Sequence, residues 1–287
     1  MSRCRVCQSE KVRTIFSIHG YEYLRCCFCH LTWTDPIPSN SDIIRYYTTQ
    51  YANGNYKVAF DYESERKAVY GRYLSRLIKF TGTRLEGSRV LDIGCFTGVS
   101  LEILRDLGCT PYGVEFQKEA ARIAESRNAG EVFGCDVNDL PQTKPFDVVT
   151  ATDVIEHLSD PWASLSSIWR VMKPGGLLLI TTPNGSSKLA TLLGKNWPSY
   201  TPIHHIYIFS SRNVSLFLNT GRFRMLYLSP LLKTYSVGYI KSILPAFNPR
   251  IGRIVKGIVD FFPSRFQDIR LPFYGGEMFV IAERLVA

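Results

Sequence analysis

Between residues 88 and 220, short apolar runs end in turns and open directly into segments with helical spacing. Val90-Leu91-Asp92-Ile93 breaks at Gly94, and Leu101, Leu104 and Leu107 follow three residues apart. Tyr112-Gly113-Val114 stops at Glu115, Phe146 to Ala151 is another short run, and Leu177 to Ile180 is wholly apolar. Runs of this length are strands. Strands alternating with amphipathic segments predict a parallel sheet covered by crossover helices, an α/β fold. A longer helical pattern spans about Glu63 to Lys79. A later helix holding Val214, Leu216, Phe217 and Leu218 is expected to be capped by Ser210-Ser211 and ended by Gly221. Glu277 to Ala282 reads as the last strand.

The N-terminal pattern differs. Thr14 to Ser17 and Tyr21 to Leu24 read as two short strands, and Asp35-Pro36-Ile37-Pro38-Ser39-Asn40-Ser41 reads as a linker out of them. Tyr46, Tyr47, Tyr51 and Tyr56 then form a tyrosine-rich stretch. The expected organisation is a small module over 1–38, a linker and helical lid over 39–87, and a main domain over 88–287 carrying an insertion at 231–275.

Composition narrows the class. A chain of 287 residues buries a full α/β core with room for a small module. No apolar run approaches the roughly 18 residues of a spanning helix. The first residues lack the apolar stretch of a secretory signal, so the eight cysteines point to a reducing, cytoplasmic setting where paired cysteines hold metal more often than disulfides. Cys4-x2-Cys7, then 18 residues, then Cys26-x2-Cys29 has zinc-ribbon spacing. Four thiolates close a tetrahedral site with no position left for water, which makes it structural. Cys27 and His30 are adjacent alternates.

The loop after the first core strand lacks both the full G-x-G-x-x-G spacing of a pyrophosphate site and the Lys of a P-loop. It resembles the D-x-G-x-G-x-G loop of class I S-adenosylmethionine (SAM) methyltransferases, read as Asp92, Gly94, Phe96 and Gly98. Gly134-Cys135-Asp136-Val137 is similar to the family's third-strand acid, and Val171 to Ile180 to its turn and fifth strand, all in the family's order. The resemblance covers about residues 70–287. It implies a Rossmann-like seven-stranded sheet that binds SAM through Asp92, Gly94, Cys95, Phe96, Gly98, Glu115, Asp136, Val137 and Thr152. Glu115 would take the ribose hydroxyls and Asp136 the adenine amine. Phe96 stands where the family has its middle glycine; its ring is expected to shield the cofactor's apolar edge.

Two constellations follow the fourth strand. Asp153, Glu156 and His157 are spaced i, i+3, i+4 and would share a helical face. The segment resembles the E-x-x-E-H of ubiquinone-pathway O-methyltransferases, which implies a catalytic divalent metal; the bland alternative is bracing of the cofactor loop. Pro202 to Phe209 resembles the family's H-x-x-x-F-S element, which brings a histidine to the acceptor. His204 or His205 is then the preferred proton acceptor, and the order between them stays open.

The insertion 231–275 holds seven Lys or Arg against two Asp, a net +5 of the chain's +9. Asn248-Pro249 opens a helix with Ile251, Ile254, Val255, Ile258, Val259 and Phe262 on one side. A basic amphipathic helix over 248–263 either lies on an anionic membrane, covers a lipid-like substrate, or buries its stripe on the core. The signature of amino-group methyltransferases acting on bases is absent after strand four. The expected activity is therefore methyl transfer, most often to oxygen, on a small-molecule, sugar or lipid-linked acceptor. The alternatives are a ribosomal-RNA base methyltransferase, suggested by the ribbon and the positive charge, and a non-catalytic SAM-fold partner protein.

Overall fold

The apolar strands assemble around β4 (Arg89–Ile93), which pairs in parallel with β5 (Thr110–Val114) on one side and β7 (Phe146–Thr152) on the other. The structure, a computed structural model, describes residues 3–53, 62–247, 249–261 and 263–286. Of the positions singled out above, Tyr56, Asn248 and Phe262 lie outside that set, as do the side chains of Tyr51, Pro249 and Ile251. Beyond β5 comes β6 (Glu131–Phe133), and beyond β7 comes β8 (Met172–Pro183), both parallel. The final pair, β10 (Phe223–Ser236) and β11 (Arg270–Arg284), is antiparallel, with β11 against β8. The seven-stranded order is thus β10-β11-β8-β7-β4-β5-β6. Val90, Leu91, Val148, Val149, Leu178, Leu179 and Ile180 are fully buried, as a sheet covered on both faces requires.

The helical patterns at about 63–79 and after Gly94 become helices, and further helices lie where periodicity placed none. α1 spans Asn40–Ala52, α2 Glu63–Thr81, α3 Val99–Asp106, α4 Lys118–Ser126 and α5 Pro161–Val171. α2 buries Tyr70, Tyr73, Leu74 and Leu77 at helical spacing and ends at Gly82, whose φ of 69° supplies the left-handed cap. α5 starts with Asp160 accepting from the backbone of Trp162 and Ala163, and Pro161 occupies its first turn.

Two expectations change, and a helix no pattern placed is added: Ser187 accepts from the backbone N–H of Ala190 and nucleates α6 (Lys188–Leu193) after β8. Ser210-Ser211 does not cap α7 (Val214–Thr220) through its hydroxyls. Asn213 is the cap residue, and its Oδ1 folds back to accept from the Ser210 N–H. The insertion is also shorter than 231–275. Leu231–Ser236 prolongs β10 and β11 begins at Arg270, so the helical part is α8 (Val237–Phe247), α9 (Pro249–Phe261) and a short 3-10 turn.

The N-terminal module is a small antiparallel sheet of β1 (Val12–Ile18), β2 (Tyr21–Cys26) and β3 (Thr32–Asp35). It gains a fourth strand, β9 (Tyr207–Ile208), from the main domain. The module is therefore stitched to the segment carrying His204 and His205. Arg5 reinforces the junction by pairing with Asp160 at 3.0 Å and lying over the Trp162 ring.

Candidate functional site

The turn after β4 is built from left-handed backbone. Gly94 has φ 71° and Gly98 φ 77°. A Cβ on Gly94 would meet Val154 Cγ2 at 2.8 Å, and one on Gly98 would stand 3.0 Å from Ala124, so both positions need glycine twice over. Phe96 adopts φ 50° between them. A non-glycine residue there costs on the order of 1–2 kcal/mol. Its ring is stacked under the Arg66 guanidinium at 4.4 Å, and Arg66 also donates to Thr97 Oγ1. The ring thus packs on a cation from α2. Sequence reasoning missed Arg66: it lies 28 residues before Gly94 and belongs to no motif.

Two carboxylates end the flanking strands. Asp92 is buried (3% exposed), and Ser100 Oγ and Thr150 Oγ1 donate to it. Burial pushes its pKa up to about 6, against those two hydroxyl bonds. Glu115, 6% exposed, accepts the backbone N–H groups of Phe96 and Gln117, one on each oxygen. Each oxygen keeps a second lone pair for an outside donor, and burial raises this carboxyl too. Asp136, half-buried, accepts from the Asn138 N–H after β6, with Val137 buried beside it. Cys95 is buried against β5: a Cβ on Gly113 would meet its Sγ at 2.6 Å.

A cavity of about 360 Å³ opens at the carboxyl ends of β4 and β7, where open α/β sheets bind ligands. Asp92, Gly94, Cys95 and Thr152 form its floor, Arg66, Tyr70 and Tyr73 come from α2, and Tyr235 and Tyr239 come from β10 and α8. The Tyr73 hydroxyl is buried there without a hydrogen-bond partner, an orphan that a polar ligand atom would satisfy. Tyrosine faces and carboxylates suit a sulfonium cation, so the lining fits SAM.

Asp153 also lines this cavity. It has φ 55°, and its carboxylate is held by Lys233 Nζ at 2.9 Å and Thr181 Oγ1 at 2.8 Å. Burial works against the charge, but the Lys233 ammonium wins and keeps this carboxyl below the usual range. Lys233 bridges to Glu277 at 2.7 Å as well. Counted in the sequence as part of a basic surface, this lysine is 8% exposed and belongs to the cavity wall.

The segment 153–158 is a turn, not a helix, so Asp153, Glu156 and His157 share no helical face. Asp153 is committed to Lys233. Glu156 is fully buried, accepts from Thr182 Oγ1, and its backbone carbonyl takes the N–H groups of Ile206 and Tyr207. Burial and the neighbouring Asp153 charge raise the Glu156 carboxyl well above its ordinary value. These three residues do not converge as a carboxylate-rich metal site. His157 instead lies beside His204 and His205, with ring centroids 4.3 and 4.9 Å away. Neither His204 nor His205 lines the cavity. Tyr46, Tyr47 and Phe116 pack around this cluster, which places α1 over it.

The four N-terminal cysteines do converge. Cys4 Sγ and Cys29 Sγ are 3.5 Å apart, as are Cys7 Sγ and Cys26 Sγ, and all four lie within 4.8 Å. Zinc with bonds of about 2.3 Å sets its sulfurs about 3.8 Å apart. The backbone N–H groups of Phe28 and Cys29 donate to Cys26 Sγ, support that a thiolate ligand needs. Cys27 is exposed, His30 faces Arg212, and neither belongs to the set.

The sequence profile of methyltransferase domains matches residues 62–220. The ubiquinone biosynthesis O-methyltransferase of Thiobacillus denitrificans is 31% identical over 138 residues, and that of Caulobacter sp. 33% over 119. Those matches cover 45% and 38% of this chain, and 59% and 46% of the relatives, so the chain spans about half the length of these curated relatives. Among solved structures, the YcgJ protein of Bacillus subtilis superposes with a TM-score of 0.53 at 18% identity, covering 76% of this chain and all of that one. A Thermotoga maritima SAM-dependent methyltransferase, described as a possible histamine N-methyltransferase, gives 0.53 at 18% identity, covering 84% and 98%. Identities this low speak for the fold alone. The chain belongs to the SAM-dependent methyltransferase family.

Proposed function

We propose that this methyltransferase moves the SAM methyl group to a hydroxyl oxygen of a small or lipid-linked acceptor, with Asp153 receiving the hydroxyl hydrogen bond. The observation that carries the reading is the cavity wall itself. It continues from the cofactor turn to a carboxylate held ionised by Lys233 and set in left-handed backbone. Strained backbone of this kind clusters at functional sites. The activity of the relatives, O-methylation in ubiquinone biosynthesis, supports an oxygen acceptor.

SAM supplies an activated methyl group, so the chain has to bind, orient and exclude water. In this reading Asp92 would take the methionine ammonium and Arg66 its carboxylate, Glu115 has lone pairs left for ribose hydroxyls, and Asp136 would take the adenine amine. Methyl transfer to a hydroxyl releases its proton, and Asp153, held ionised by Lys233 in the cavity wall, is the group we assign to receive it. Positioned acid–base groups of this sort contribute roughly 10²–10⁴-fold.

The insertion supports a lipid-linked acceptor. α8 contributes Tyr239 to the cavity, and α9 beside it buries Val259 and half-buries Val255 of the expected stripe while leaving Ile254, Ile258 and Phe261 exposed (63%, 56% and 86%). An apolar face on a helical insertion (237–269) whose five Lys or Arg outnumber its two Asp fits an anionic membrane surface. Among the described residues, no helix is long and apolar enough to cross a membrane. The test is transfer of label from methyl-labelled SAM into host extract split into organic-soluble, nucleic-acid and small polar fractions. Label in the organic or small polar fraction supports the reading; label lost on ribonuclease treatment overturns it in favour of an RNA acceptor.

A further inference from the structure

We propose that His157, His204 and His205 form a second metal site, for a divalent transition ion of the zinc class. Candidate ligand atoms of all three rings lie within 4.8 Å of one another. Zinc–nitrogen bonds of about 2.0–2.1 Å set tetrahedral neighbours roughly 3.3 Å apart, so an ion would draw the rings in by about an ångström. Small rotations about the side-chain bonds supply that movement.

Two of the rings already have the support that metal-bound imidazoles show. His157 Nδ1 lies against the His204 carbonyl and His205 Nδ1 against the Ser199 carbonyl at 2.7 Å. A ring that donates its Nδ1–H to a carbonyl has its tautomer and orientation fixed, and its Nε2 lone pair left over for an ion. His204, whose ring makes no hydrogen bond among the described residues, completes the set from the facing segment. Three imidazoles without a committed carboxylate favour zinc, cobalt, nickel or copper over magnesium or calcium. Asp153, the nearest acid of the cavity, is engaged by Lys233 and Thr181. Glu156 Oε1 lies 3.8 Å from His157 Nε2, close enough for an ion at the cluster to draw it in.

Such an ion would tie the turn after β7 to the segment leading into β9. The backbone already joins these two by bonds from Ile206 and Tyr207 to the Glu156 carbonyl. The site shares no residue with the four-cysteine centre, and the two differ in donor chemistry, so each can be read in the presence of the other.

The experiment uses the untagged chain, stripped with a chelator, reloaded with Co²⁺ and freed of excess metal. Two equivalents per chain are expected. One should show the intense thiolate-to-cobalt absorption of the cysteine centre, and the second only the weak bands of a nitrogen-ligated ion. In the double variant His157→Gln/His204→Gln the second equivalent should be lost while the thiolate absorption stays, which also certifies the fold. If that variant fails to fold, His204→Gln alone carries the test. It should weaken the second equivalent by more than the roughly 10–100-fold that loss of an outer-sphere partner costs. Saturation of the unaltered chain at one thiolate-bound equivalent, or a second equivalent that survives these substitutions, overturns the proposal.

Discussion

Asp92→Asn separates what the cofactor turn costs the fold from what it offers the cofactor. In the free protein this carboxyl is pushed from 3.8 to about 6 by burial. A folded-state value above the unfolded one means that ionisation destabilises the fold. The penalty appears as pH rises from about 4, is complete above about 6, and is absent at lower pH. A shift of about two units at 1.36 kcal/mol each is about 3 kcal/mol, undiminished by solvent because Asp92 is 3% exposed. Asparagine cannot ionise. It keeps one acceptor for the Ser100 and Thr150 hydroxyls and turns its amide to the other, at a loss of about 1 kcal/mol. Net stabilisation of the free protein by roughly 1–2 kcal/mol at pH 7.5 is expected.

The same substitution removes a charged partner for the cofactor ammonium, worth about 1.5–3 kcal/mol, so SAM should bind roughly 10–150-fold more weakly. Proton linkage adds a signature. SAM favours the ionised Asp92, so affinity in the unaltered chain should rise as pH climbs toward 6 and then level off, whereas the variant should show no such rise. Urea unfolding of the free protein between pH 5 and 8, with calorimetric titration of SAM over the same range, measures both. A variant that is less stable at pH 7.5, or one that binds SAM as tightly as the parent, refutes the reasoning.

Four further outcomes are expected. Asp153→Asn should lower kcat by about 10²–10⁴-fold while SAM affinity changes by less than a few-fold, read by steady-state kinetics beside direct titration. Gly113→Ala would push a methyl group into Cys95 Sγ at 2.6 Å; overpacking of about 1–3 kcal/mol should lower Tm and weaken SAM binding through the displaced turn. Cys26→Ser should weaken zinc binding by the four-cysteine cluster, read by competition with a colorimetric chelator, and lower the Tm of the zinc-loaded chain by roughly 10 °C, since several kcal/mol at about 2–4 °C each would be lost. Ile258→Glu with Phe261→Glu, both exposed, should leave Tm within about 0.5 kcal/mol equivalent yet abolish co-sedimentation with anionic vesicles; unchanged sedimentation would count against the lipid-linked acceptor.

What could be read in the sequence was set by local chemistry. The core strands were legible because Val90-Leu91, Val148-Val149 and Leu178 to Ile180 are apolar runs too short for helices. The cysteine centre was legible because two tight turns need only short spacings to converge. The segment Asp153 to His157 was misread because i, i+3, i+4 spacing is satisfied by a helix and by successive turns alike. What decides between them is non-local: Ile206 and Tyr207 donate to the Glu156 carbonyl and Thr181 holds Asp153. α6 was overlooked although Ser187 is a good cap, because only six residues follow and a helix that short rests on tertiary packing.

The cavity wall makes the same point in electrostatic terms. Lys233 looked like one more positive charge of a basic insertion, and Arg66 belonged to no motif. Composition cannot distinguish a solvated lysine from one 8% exposed between two carboxylates. Burial changes the role entirely. Lys233 adds nothing to any basic surface, and it holds Asp153 in its ionised form in the cavity wall. The positive charge left for a surface partner on this segment is correspondingly smaller than its sequence suggests. Lys241 and Lys256 narrow it further by pairing with Asp260, so the exposed stripe of α9, more than the charge count, is what a membrane would recognise.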